Sequence, residues 1–104
     1  MTARLYRLVL WPDVEEEIAE AARWYELQQR GLGRRFLAAI RTVTSQLRRT
    51  PFHYQIVEEQ VRRVLPHSFP YAVFYEIHAS EVVIIGCLHT SRDPHEWRRR
   101  ITRE

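Results

Sequence analysis

Apolar positions follow two different rhythms along this chain, and the change between them falls near Gln55. At the start, Ala3 to Leu10 carries Leu5, Val9 and Leu10 with Tyr6 and Arg7 between them, which predicts a short strand stopped at Trp11-Pro12. Beyond it, Val14, Ile18, Ala21, Ala22 and Tyr25 recur at helical spacing. Pro12 suits the first turn of such a helix, and Asp13, Glu15, Glu16 and Glu17 complement the positive end of its dipole. Gly31-Leu32-Gly33 ends it, and a second helix is expected from about Arg34 to Arg49. Phe36, Leu37, Ile40, Val43 and Leu47 form its apolar face, and Pro51 stands just past its end.

From Gln55 onward the period is two and the residues are β-branched and aromatic, with strands expected at about Gln60 to Leu65, Tyr71 to Ile77 and Glu81 to His89. Val82, Val83, Ile84 and Ile85 are apolar without alternation, so that strand is covered on both faces or lies centrally in the sheet. The order is β-α-α-β-β-β, with the last strand between its hairpin partner and the N-terminal strand. The expected class is α+β, a two-helix hairpin packed on a small, mainly antiparallel sheet.

Composition narrows the function. A chain of 104 residues that is 45% hydrophobic corresponds to one domain, residues 1–104. Every basic residue among the 16 is arginine. The absence of lysine excludes a P-loop, a Schiff-base lysine and a Ser-Lys dyad, each of which needs an ε-ammonium group. A GC-rich genome explains that bias as readily as selection for bidentate phosphate or carboxylate contacts. The lone Cys87 cannot form an internal disulfide, and with no signal peptide or long apolar run the expectation is a cytoplasmic protein with no membrane partner. Charge is segregated along the helices: Asp13 to Gln29 holds six acids and one arginine, Arg34 to Thr50 five arginines and no acid. Complementary solvated faces explain this, as does a basic helix that meets an anionic partner.

The densest polar constellation follows the last strand: His89, Arg92, Asp93, His95, Glu96, Trp97 and Arg98 to Arg100, with Arg62-Arg63 as its expected neighbour in the fold. Histidine titrates near neutrality and arginine binds phosphate oxygens bidentately, so this end of the sheet suits a phosphate and a proton transfer. Local ion pairs that cap a short C-terminal helix account for the same residues. No metal or cofactor is expected, because Cys87 and His89 are only two apart and no second cysteine completes a tetrahedral set. The serines lack the context of a nucleophile elbow.

Three stretches carry a resemblance. They are Trp24-Tyr25-Glu26 through Gly31-Leu32-Gly33-Arg34-Arg35-Phe36-Leu37; Arg62-Arg63 with Phe69-Pro70-Tyr71-Ala72-Val73-Phe74-Tyr75; and His89-Thr90-Ser91-Arg92-Asp93-Pro94 with Trp97. In this order they resemble the RelE/ParE superfamily of bacterial type II toxin-antitoxin toxins over nearly the whole chain, and the Arg92-Asp93-Pro94 ending is closer to the ParE-like branch. The resemblance implies a growth-inhibiting toxin, associated with plasmid stabilisation and held inactive in a hetero-oligomer by a cognate antitoxin whose flexible C-terminal segment wraps around it. ParE-like members poison DNA gyrase, whereas RelE-like members cut mRNA in the ribosome.

Two toxin readings therefore stand beside a third, a small nucleic-acid-binding module. If the chain binds a target or partner, the candidates are Arg34, Arg35, Arg41 and Arg48 on the second helix and Trp97, Arg98 and Arg99 at the end. If it is a ribosome-dependent endoribonuclease, His89 is the proton donor or acceptor and Arg62, Arg63 and Arg92 clamp the phosphate.

Overall fold

The computed structural model describes residues 4–93 together with Arg98 and Arg99. Strand β1 (Arg7–Leu10) leads into helices α1 (Pro12–Gln28) and α2 (Leu32–Arg49) and a single 3-10 turn (Pro51–His53). Strands β2 (Ile56–Glu58), β3 (Val61–Val64), β4 (Tyr71–His78) and β5 (Glu81–His89) follow. They form one sheet in the order β1-β5-β4-β3-β2. The neighbours in β2 to β5 are antiparallel, and β1 runs parallel to β5 because the whole helical hairpin and meander lie between them in sequence. No helix among the described residues is long and apolar enough to cross a membrane.

The α+β architecture and the interior place of the last strand agree with the sequence pattern, and two details differ. The sheet gains β2, which at three residues is too short to show a period and exists through its pairing with β3. The Glu59-Gln60 turn that joins them holds Glu59 at a φ of 51°. The first strand is also shorter than Ala3 to Leu10 suggests, beginning at Arg7 among the described residues.

The hairpin closes through a device that the sequence motif contains. Gly31 adopts a φ of 88°, and the Glu26 carboxylate reaches across to accept the N–H groups of Gly31 at 2.9 Å and Gly33 at 3.0 Å. One side chain of α1 thus satisfies donors at the start of α2, where the N-cap Gly31 has no side chain to do so. Gly33 is required by space, since a Cβ there would stand 2.4 Å from the Ala22 carbonyl oxygen. Below this junction Tyr25, Phe36, Phe69 and Tyr71 pack ring against ring, with centroids 5.0 to 6.1 Å apart.

Strand β5 is covered on both faces. Val82 and Ile84 join Val14, Phe36 and Leu47 in the helix-side core, while Ile85 and Leu88 join Val61, Ala72 and Phe74 in a second cluster on the opposite face. Tyr75 faces Ile84 and Phe74 faces Gly86, so Ile85 is the extra residue of a bulge. The unbroken apolar run has two causes: burial on both sides, and a shift of parity within it.

Candidate functional site

Strand β5 ends in a tight polar turn. His89 sits on the helix side of the strand, its ring edge-on to Tyr71 at a centroid distance of 5.2 Å. Its carbonyl accepts the Arg92 N–H at 2.9 Å, and Thr90 N–H donates to the Pro70 carbonyl at 2.8 Å, so residues 90–92 fold back over the strand end. The ring's Nδ1 accepts the backbone N–H of Ser91 at 3.1 Å and lies 2.8 Å from the Ser91 hydroxyl. The Ser91 N–H can only donate to Nδ1, while the Ser91 hydroxyl can donate to that nitrogen or accept from it.

Arg62 and Arg63, adjacent in sequence, part company here. Arg62 pairs with Tyr75 and lies on the helix face, where its guanidinium donates to the carbonyls of Phe52 at 3.2 Å and Tyr54 at 2.6 Å and stacks on the Phe52 ring. It ties the 3-10 turn to the sheet and does not join His89, which corrects the expectation that both arginines flank one site. Arg63 pairs with Phe74 on the opposite face and lines a cavity of about 280 Å³ together with His89, Thr90, Arg92, Asp93 and Arg98. The cavity thus unites three of the four nuclease candidates, and adds Arg98, which was expected to serve partner binding. Glu58 of the unanticipated β2 holds the Arg98 Nε at 3.0 Å.

His89 and Arg92 also line a second cavity of about 300 Å³, between α1 and β5, with Glu17, Glu20, Trp24 and Tyr71. Strand β1 stops opposite Ile84, and past that point Glu17 accepts the Cys87 N–H at 3.1 Å and so occupies the vacated edge of β5. Sequence reasoning assigned Glu17 only to the dipole of α1, because acids one step from an apolar stripe are common on solvated helices. Burial, reinforced by Glu17, pushes the Cys87 thiol up to about 12, so it supplies no thiolate nucleophile near neutrality.

Among the basic residues of α2, Arg34, Arg35 and Arg41 are exposed, as a partner-binding face requires. Arg48 is tied to the N-terminal segment instead: its Nε donates to the Tyr6 carbonyl at 2.9 Å while its own carbonyl accepts the Tyr6 N–H at 2.8 Å. Arg99 is exposed, and Trp97 lies outside the described residues. Among the described residues no group of three or more metal-ligating side chains forms.

The family model for the ParE toxin of the type II toxin-antitoxin system parDE matches residues 8–94, which takes in both helices, all of the sheet but its first residue, and the His89 turn. The chain belongs to the ParE toxin family. The fold of this ParE-family chain is also similar to that of a solved structure described as the chromosomal ParDE TA system from P. aeruginosa, with a TM-score of 0.62. That similarity holds at 11% identity and covers 82% of this chain and 96% of the other. No curated protein matches. Family membership and fold agree with the RelE/ParE resemblance read from the three motifs, and the ParE model places the chain on the side of that superfamily which its Arg92-Asp93-Pro94 ending suggested.

Proposed function

We propose that this ParE-family toxin inhibits bacterial growth in the cytoplasm by binding an essential protein, DNA gyrase, and that a cognate antitoxin encoded beside it neutralises it as a toxin-antitoxin complex. Such a pair would serve plasmid stabilisation. The observation that carries binding over mRNA cleavage is the division of the nuclease candidates between the two faces of the sheet: the His89 ring packs against Tyr71 on the helix side, whereas Arg63 pairs with Phe74 on the opposite face. Cleavage asks for the proton-transfer group and the phosphate clamp around one phosphate.

The position of Arg62 supports the same reading, because its guanidinium is spent on the Phe52 and Tyr54 carbonyls. Exposed Arg34, Arg35 and Arg41 offer a basic face to an acidic or amphipathic antitoxin segment. The test is gyrase-catalysed supercoiling of relaxed plasmid, measured against rising concentrations of the purified toxin. Inhibition that added antitoxin relieves is expected; full supercoiling at stoichiometric excess of folded toxin would refute the gyrase target.

A further inference from the structure

Helix α1 carries apolar residues over more of its circumference than the core uses. Val14, Ala21 and Tyr25 are buried beneath it, whereas Ile18, Ala19 and Ala22 reach the adjacent flank and line an open groove of about 490 Å³ with Leu10 of β1 and Leu37 of α2. Strand β1 is an edge of the sheet, so no further strand covers Leu10. Among the described residues, the rest of the lining is one acid and one base, Glu15 and Arg23. We propose that a second copy of this chain fills the groove, its α1 laid antiparallel to the first across a two-fold axis at Ala19.

The spacing sets the axis. Residues 15, 18, 19, 22 and 23 follow the i, i+3, i+4, i+7, i+8 order of one helix face. Glu15 and Arg23 stand four residues before and four after Ala19, about 6 Å along the helix on either side. Turning a copy about an axis at Ala19 brings each acid to the partner's base and each base to the partner's acid, as an isologous contact requires. A partner segment of one sign satisfies one of the two and opposes the other. The exposed arginines of α2 present the contrast, because like charges there suit an anionic segment and repel their own copy.

The apolar centre fits the same axis. Ala19 and Ala22 have no side chain beyond Cβ, so a neighbouring helix can approach closely, and in this register Ile18 falls level with the space between the partner's Ala19 and Ala22. Arg23 is free to turn to a partner, since its contact with Glu16 of the same helix is 3.4 Å long and mostly solvated.

The test is sedimentation equilibrium of the purified full chain over the micromolar range, where the average mass should rise from 12.6 kDa toward twice that value. Glu15→Arg and Arg23→Glu should each weaken self-association about tenfold or more, because each sets like charges across the axis twice over. The double variant Glu15→Arg/Arg23→Glu restores both pairs and should recover most of the loss, which contact with any other surface does not predict. Both side chains are exposed, so thermal melting should find the variants folded. As an independent check, Ala19→Cys treated with oxidised glutathione should form a disulfide dimer across the axis, whereas the buried Cys87 gives the parent chain no such product. A monomer throughout the range, a dimer indifferent to the single reversals, or a double variant no better than the singles would each overturn the proposal. So would reversals that weaken antitoxin binding and leave self-association unchanged, since they assign the groove to the antitoxin.

Discussion

The two faces of the sheet use arginine in opposite ways. On the helix face, Arg62 turns inward to main-chain carbonyls and an aromatic ring, and its charge helps fasten the 3-10 turn. On the other face, one residue later, Arg63 is exposed beside a cavity that Arg92 and Arg98 also border. Charge on the first face fastens the main chain, and on the second it borders a cavity. Residue type predicts neither role; strand parity does.

The largest effect expected from breaking this contrast lies in the helix-side core. Phe36 is fully buried against Tyr25, Phe69 and Tyr71, so Phe36→Ala should cost about 3 to 5 kcal/mol in denaturant unfolding. Toxicity should then be lost through the fold, with no selectivity for target or antitoxin. The paired arginines sharpen the contrast at a smaller scale. Arg62→Gln is expected to lower stability by about 1 to 2 kcal/mol, because it gives up charge-assisted hydrogen bonds to two carbonyls. Arg63→Gln should leave stability within about 0.5 kcal/mol of the parent, as for an exposed side chain. Equal stability losses in the two variants would erase the distinction between the faces.

A further test uses pH. Burial pushes Tyr75 up to about 12 from 10.0 and, with Glu17, Cys87 up to about 12 from 9.0. In both cases the folded chain holds its proton more tightly than the unfolded chain. Their stabilisation is therefore complete below about pH 9 and is lost as pH climbs toward 12. Tyr75→Phe also removes the buried hydrogen bond from its hydroxyl to the Pro51 carbonyl, 2.6 Å long. It should cost about 1 kcal/mol at neutral pH and make the alkaline limb shallower, as chemical unfolding at about pH 8 and pH 11 would reveal. The smallest effect belongs to the Arg23–Glu16 pair, 3.4 Å apart and mostly solvated on α1, where Arg23→Gln should shift stability by less than about 0.5 kcal/mol.

Much of the fold was legible in the sequence: α1 and α2 each bury one face through a regular helical period, and β4 and β5 show as apolar runs rich in β-branched and aromatic residues. The pieces that were not legible depend on pairing with another strand. β2 acquires its conformation from β3, and the parity shift at Ile85 follows from its register with β4. The candidate site was legible in its residue types and less so in its membership. His89, Arg63 and Arg92 border one cavity, while Arg62 is turned away by strand alternation and Arg98 is brought in beside Glu58. The Gly31-Leu32-Gly33 motif was readable as a helix boundary, but its link to Glu26 appears only once the two helices lie antiparallel.

The central claim, that the His89 turn serves binding and does not cut RNA, meets its most direct test in the ends of cellular transcripts mapped shortly after toxin induction. The account predicts a distribution of 5′ ends unchanged from uninduced cells at the moment growth stops. New ends at fixed positions within codons of translated messages, lost in His89→Ala, would contradict it.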